Sequence, residues 1–533
     1  MLFNSLQYLA FLAVTVAVYW SLPAGVWRRR LLLVASIGFY AAFDLRLPLL
    51  LFVISVTSWL VGRALPRLEG RAKQVTAGVG IGTSIVAVFG LRAYGWLTHG
   101  TSLAAAPTAF GGSITKAIVP VGLAFVTFHS ISYIVDVYRG QMDPSPSFAD
   151  HVLYICFFPH LLAGPVMRAR RLVPAFHSVP AKPNPIVMSE GAELLVVGMF
   201  KKVVLADPAI GLVTRLAVDP KTTPSLTMWG LWLLGLTAAY FDITGYIDMA
   251  RGSAKLLGIE LQPNSMQPLL RSSNLTEFWR RWQVTVMMWF RDYVFLPIRG
   301  RRRNDRREMI GLVATFVALA LWHGTSVGWL IWGALTGTIV TLERVVQGRK
   351  AAANREKRRA ARRRKAKRAE ATGALVGADA GVSVAAATPR RVSAKGAQSS
   401  RSAVSLARGG RPGKTAHVDG SGNLVRVKGL LYVYLMLVLT LPWIGSPTIA
   451  DTLQTYKSLF GFRGGPLSGD LLGSLLIGIV SLVLLDGRER ARQARSGQAD
   501  PPTVLRAIGL GVMVLGVVVY GATASQSFIY LRF

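Results

Sequence analysis

His323 ends a run of residues, 309–322, that carries no charged side chain, and the run closes in Leu321, Trp322, His323 and Gly324. A histidine at the end of such a segment is expensive to bury, which makes it a functional candidate by default. Its imidazole is the side chain whose charge changes near neutral pH, which suits proton transfer. A core imidazole bonded to a backbone carbonyl is the plain alternative. Two carboxylates six residues apart, Asp242 and Asp248, stand in another apolar setting, the stretch Tyr-Phe-Asp-Ile-Thr-Gly-Tyr-Ile-Asp. They can serve as a metal pair, a proton relay or partners for cations. The third use is favoured, because Arg280, Arg281 and Arg291 need counter-charges and no histidine stands close enough in sequence to complete a metal set.

Those arginines lie in the segment that must position the chemistry. Asn274 with Glu277 three residues on is an Asn version of a capping box and predicts a helix start. Along one side of the predicted helix run Trp279, Trp282, Val286, Trp289 and Tyr293. Beside them run Arg280, Gln283, Met287 and Arg291, then Arg281, Thr285, Met288 and Asp292, at helical spacing. So much Trp and Arg on one helix suits an interface or a lined cavity better than a lipid-facing span. A charged turn, 299–308, leads into the His323 segment, and a second apolar arm continues to Ile339. Basic turns flank the pair, so 309–340 reads as a hairpin with His323 near its tip. At ~1.5 Å per residue, 309–323 rises about 21 Å against roughly 30 Å of hydrocarbon, which places His323 past the midplane.

Of the 533 residues, 52% are hydrophobic and the mean hydropathy is +0.41. Apolar runs recur along most of the chain, which predicts an all-α, polytopic membrane protein in contact with the lipid bilayer. The one cysteine, Cys156, excludes an internal disulfide and a cysteine metal site. A net charge of +35 points to nucleic acid in a soluble protein. Here it is assigned to cytoplasmic loops instead, with no nucleic-acid partner.

The loops alternate. The first span, 2–22, has no basic residue before it and Arg28, Arg29 and Arg30 after it, which fits an uncleaved span with its N-terminus outside. Spans at 31–43 and 47–61 are separated by a break at 44–48. Arg63, Arg67, Arg71 and Lys73 form a second inner loop, 75–97 crosses outward, and 98–113 is an outer loop. Residues 120–140 are apolar until Asp136, Tyr138 and Arg139 at the inner surface, and His129 within them reads as a packing residue. Residues 151–165 are too short and too interrupted by Pro159, Gly164 and Pro165 for an ordinary span, so they should line a cavity or lie under other protein. Lys201 and Lys202, beside an apolar run, read as interfacial anchors. Three domain segments follow. They are a membrane core over 1–346, a basic insert over 347–428, and further spans of the same core over 429–533. The insert is rich in Ala, Arg, Lys, Ser and Gly; it should be disordered, helical at most near 354–370, and cytoplasmic.

Seven stretches in order resemble the membrane-bound O-acyltransferase family: 120–140, 157–165, 198–207, 240–250, 271–298, 321–324 and the terminal 528–533. The bacterial branch, with the membrane subunits of alginate O-acetylation and teichoic-acid D-alanylation, is the nearest match. The resemblance implies a helical bundle with a central tunnel and short re-entrant or broken helices, in a bacterial inner membrane. It implies acyl transfer from a cytoplasmic thioester, acetyl-CoA or another, to hydroxyls of an extracytoplasmic glycan, with no bound cofactor or metal. An extracytoplasmic SGNH-type acyltransferase is the implied partner. The family's histidine falls on His323. Trp322, Trp279 and Trp282 would wall the tunnel. Arg280, Arg281 and Arg291 either attract the donor's phosphates or pair with Asp242, Asp248 and Asp292. The chain departs from the pattern at Gln283 and Thr336, where histidines are usual, at His160, where Gln is common, and after Trp443, where an Arg is missing. Gln283 can hydrogen-bond but cannot titrate, which leaves one general base. A transporter and a scaffold that has lost catalysis are the alternatives.

Overall fold

The computed structural model describes residues 2–43, 45, 47–99, 122–162, 164–216, 221–264, 272–300, 304–324, 326–378, 421–445, 448–494 and 504–521. The expected outer loop from residue 100 onward, position 325, the insert between 379 and 420, and the terminal motif at 528–533 lie outside these residues. The described elements are helical, with no strand among them. Leu47–Arg67, Ser225–Leu256 and Val327–Arg364 are long and apolar enough to cross a bilayer, and four shorter apolar helices accompany them. The chain divides into two compact units, Met1–Thr341 with Lys428–Phe533, and Leu342–Val427.

In the larger unit, glycine seams bring backbones together. Pro185–Met199 packs antiparallel on Ser225–Leu256. A Cβ on Gly198 would meet Gly245 O at 2.6 Å, and one on Gly252 would meet Gly191 O at 2.7 Å. Small residues at this spacing let two apolar helices approach without side chains between them. The first of these helices continues through a π-helical stretch, Phe200–Ala206, into Asp207–Leu216. That stretch turns Lys202 inward, where it is fully buried. It is therefore not the interfacial anchor expected, because carboxylates, not water, solvate its ammonium group.

The His323 hairpin forms. Asn304 caps the helix Asp305–His323 by accepting a hydrogen bond from Arg307 N at 3.1 Å. The return helix starts at Val327, and Gly333 and Gly337 set it against Phe316, Ala320 and Val313. It does not end near Val340 but runs unbroken to Ala378. Residues 347–378 hold no proline and are rich in Ala, Arg and Lys, which are strong helix formers. In the smaller unit every side chain from 347 to 364 is exposed.

The helix predicted from Asn274 starts as expected, with Asn274 Oδ1 accepting from Glu277 N at 2.9 Å. It does not run through. It stops at Arg281, Trp282 is extended, and Gln283 takes a left-handed conformation at φ 46° and ψ 48°. A new helix runs from Val284 to Phe290, followed by a π-helical turn over Arg291–Phe295. Asn264 accounts for the break. Its carbonyl accepts from Val284 N at 2.7 Å, and its side chain accepts from Thr285 N at 2.9 Å and Thr285 Oγ1 at 2.6 Å. These bonds replace those a continuous helix would supply.

The interrupted segment also behaves as its prolines and glycine dictate. Phe148–Cys156 and Phe158–Leu161 are separate helices. Ser36 Oγ accepts from Phe158 N at 3.1 Å, so the donor freed at the break is satisfied inside the protein.

Candidate active site

His323 is the last residue of its helix and is half-buried. Its ring stacks on Trp329 of the return helix, with centroids 5.0 Å apart and planes 7° from parallel. Trp322 lies 4.3 Å away on another side. Gly324 makes this possible, since a Cβ there would fall 2.2 Å from the Trp329 ring. Further aromatic groups extend the walls. Trp322 packs on Phe125 at 5.7 Å and Phe128 at 4.9 Å. Trp332 meets Trp329 at 5.7 Å and Trp279 at 5.9 Å. Trp289 packs on Phe128 at 4.4 Å, and its Nε1 donates to Phe128 O at 2.9 Å.

Trp279 and Trp322 thus join one aromatic cluster with the hairpin. Trp282 does not share their face. The break at Gln283 redirects it to stack on Tyr240 at 5.7 Å, in a different part of the core. Gln283 itself is buried at the N-terminus of the helix 284–290. Thr336, the other departure, is 1% exposed on the return helix, and its hydroxyl has no hydrogen-bond partner among the described residues.

The expected ion pairs are largely replaced. Asp242 pairs at 2.8 Å with Lys202, which also bonds Asp207 at 2.6 Å. Asp248 pairs with Lys201 at 2.6 Å and Arg251 at 3.5 Å. The two carboxylates therefore answer the lysines, because the glycine seam brings 198–202 beside 242–248. Arg281 bonds Glu277 one turn earlier, and Arg280 is exposed. Arg291 pairs as expected, at 2.8 Å from Asp292, which also takes Arg168 at 3.1 Å.

Sequence reasoning missed one buried group. His129 and His160 stack at 4.3 Å with planes 15° apart, and both are fully buried. Neither ring nitrogen of His129 has a hydrogen-bond partner among the described residues. His129 follows Phe128 in the chain, and it is Phe128 that packs on Trp322. The only signal in the sequence is that two apolar segments each carry a histidine, which does not reveal that the rings meet.

These features define a helical membrane protein whose candidate site centres on one histidine at a hairpin tip among tryptophans. The family model described as MBOAT, membrane-bound O-acyltransferase family, matches residues 121–362. The chain is 35% identical over 358 residues to a probable alginate O-acetylase AlgI of Pseudomonas putida, covering 65% of this chain and 71% of that one. It is 28% identical to a peptidoglycan O-acetyltransferase of Helicobacter pylori, covering 43% and 48% of the two chains. It is 23% identical to a teichoic acid D-alanyltransferase of Streptococcus thermophilus, covering 45% and 60%. The chain belongs to the membrane-bound O-acyltransferase family and is an O-acyltransferase.

Proposed function

We propose that this chain moves an acetyl group from a cytoplasmic thioester, acetyl-CoA or another acyl thioester, to hydroxyls of an extracytoplasmic polysaccharide or cell-wall glycan. His323 is the general base. Its ring nitrogen takes the proton of the attacking hydroxyl, whose oxygen forms the ester as the carbon–sulfur bond breaks. The thiol leaves with that proton, so the imidazole ends neutral. The observation that carries this role is the His323 ring held flat on Trp329 at the tip of the hairpin. Stacking fixes the ring plane before substrate arrives, which is what proximity catalysis requires. The names of the relatives supply the acyl group and the acceptor class. The aromatic cluster around Trp322 and Trp279 walls the tunnel through which donor and acceptor meet. A secreted SGNH-type partner completes transfer to the glycan. The membrane is the bacterial inner membrane, crossed many times, with the N-terminus outside and the basic insert in the cytoplasm.

The test is His323→Ala in cells that make the acetylated glycan. Ester content should fall at least about a hundred-fold, the range for loss of a general base, with protein abundance in the membrane near normal. Esters that persist in that strain would overturn the assignment.

A further inference from the structure

Val166, Met167 and Arg168 follow the interrupted segment, and Arg168 is more than nine-tenths buried. Its guanidinium lies over the Tyr293 ring at 4.4 Å, and Nη2 donates to Asp292 Oδ2 at 3.1 Å. Nη1 is buried with no hydrogen-bond partner among the described residues. Three more arginines converge here. Arg139 lies over the same ring at 5.6 Å and donates to Asp292 O at 3.1 Å. Arg291 is exposed and bonds Asp292 Oδ1 at 2.8 Å. Arg170 is exposed and stands 3.9 Å from Asp136 Oδ2. Tyr293 donates to Asp136 Oδ1 at 2.6 Å. Four guanidinium groups therefore face two carboxylates, and Asp292 already spends both side-chain oxygens and its carbonyl on them. The cluster keeps a positive excess and a buried donor that still needs an acceptor.

We propose that this cluster, centred on Arg168, binds phosphate groups of the acyl donor. Phosphate offers the oxygens that arginine forks match. Which anion belongs here follows from what the cluster leads to. Tyr293 packs on Trp289 at 5.0 Å, and Trp289, Phe128, Trp322 and His323 then follow one another at 4.4, 4.9 and 4.3 Å. One continuous aromatic wall joins the arginines to His323. A donor that carries its phosphates at one end and its thioester at the other end of a flexible arm fits both ends of that wall. The phosphate role weighed for Arg280 and Arg281 passes to Arg139 and Arg168, and Arg291 keeps it. The inference rests on the thioester donor proposed above.

The experiment measures equilibrium binding of CoA, and of pantetheine, which lacks phosphate, to the purified full chain in a neutral detergent. Arg139→Gln and Arg291→Gln sit at exposed positions, and their melting temperatures check folding. Each should weaken CoA about ten-fold, the loss expected for one charge-assisted bond, and leave pantetheine unchanged. Arg168→Lys keeps the charge but loses the fork, and it should weaken CoA as well. Wild-type affinity for CoA in the folded Arg139 and Arg291 variants would overturn the site and leave the donor reading intact. A wild-type chain that binds no CoA, and transfers nothing from acetyl-CoA in vesicles, would overturn the donor reading and this site with it. Loss of co-purifying phosphatidylglycerol from the variants, with CoA affinity unchanged, would overturn the proposal in favour of a lipid headgroup site.

Discussion

At the scale of single residues, the site depends on one missing Cβ. Gly324 has φ −166°, an extended backbone that any residue adopts, so its glycine is not explained by conformation. Space explains it, since an added methyl group would enter the Trp329 ring. Gly324→Ala must push Trp329 off His323 or tilt the helix end. Transfer should fall about ten- to a hundred-fold, the cost of a misplacement of about an ångström, at matched abundance in the membrane. An initial rate equal to wild type would mean that transfer does not depend on the stack under His323. Gln283 makes the opposite case, because its left-handed backbone is costly for any residue with a Cβ, by roughly 1–2 kcal/mol. A residue kept there at that cost, buried at a break between two helices, is held by its surroundings.

At the scale of elements, the glycine seam between 185–199 and 225–256 decides which charges meet. Lys202 is fully buried between Asp207 and Asp242. Burying ions is costly, and removing one partner strands the others. Lys202→Met should destabilise the protein by about 3–5 kcal/mol, read as a lower denaturant midpoint in detergent. Adding Asp207→Asn and Asp242→Asn to that variant should recover much of the loss, because no unpaired carboxylate then remains. If the triple variant is as unstable as Lys202→Met alone, packing rather than charge sets the cost. The π-helical stretch 200–206 serves the same end, since it turns Lys202 inward without ending the helix.

At the scale of the whole molecule, the candidate site around His323 belongs to one unit and most of the basic insert to the other. The hairpin, the tryptophans and the Arg168 cluster all lie within Met1–Thr341. Described side chains of the insert from 347 to 364 are exposed. Removing residues 351–420 should leave acyl transfer within about two-fold of the full chain, since such a composition builds no core. The measurement is glycan ester content at equal membrane abundance. A deletion that abolishes transfer while the protein accumulates normally would show that the insert docks a donor or partner.

Local chemistry was legible in the sequence. The uncharged run to His323, the Asn274 cap, the prolines and glycine of 151–165 and the basic turns around the hairpin each act over a few residues, so each can be read without knowing the fold. The family resemblance rests on such stretches in order. What the sequence did not carry is which distant segments touch. A helical pattern over 274–293 is self-consistent, yet a hydrogen-bonding side chain from Asn264 breaks it and sends Trp282 away from Trp279. Carboxylates at 242 and 248 looked for the nearest arginines along the chain. The glycine seam offered lysines instead, because close backbone approach is a property of two helices together. His129 and His160 are single histidines in the sequence and a stacked pair only in the fold. Spacing along one element is written in the chain; contacts between elements depend on small differences in packing summed over many residues, and the tertiary structure alone decides them.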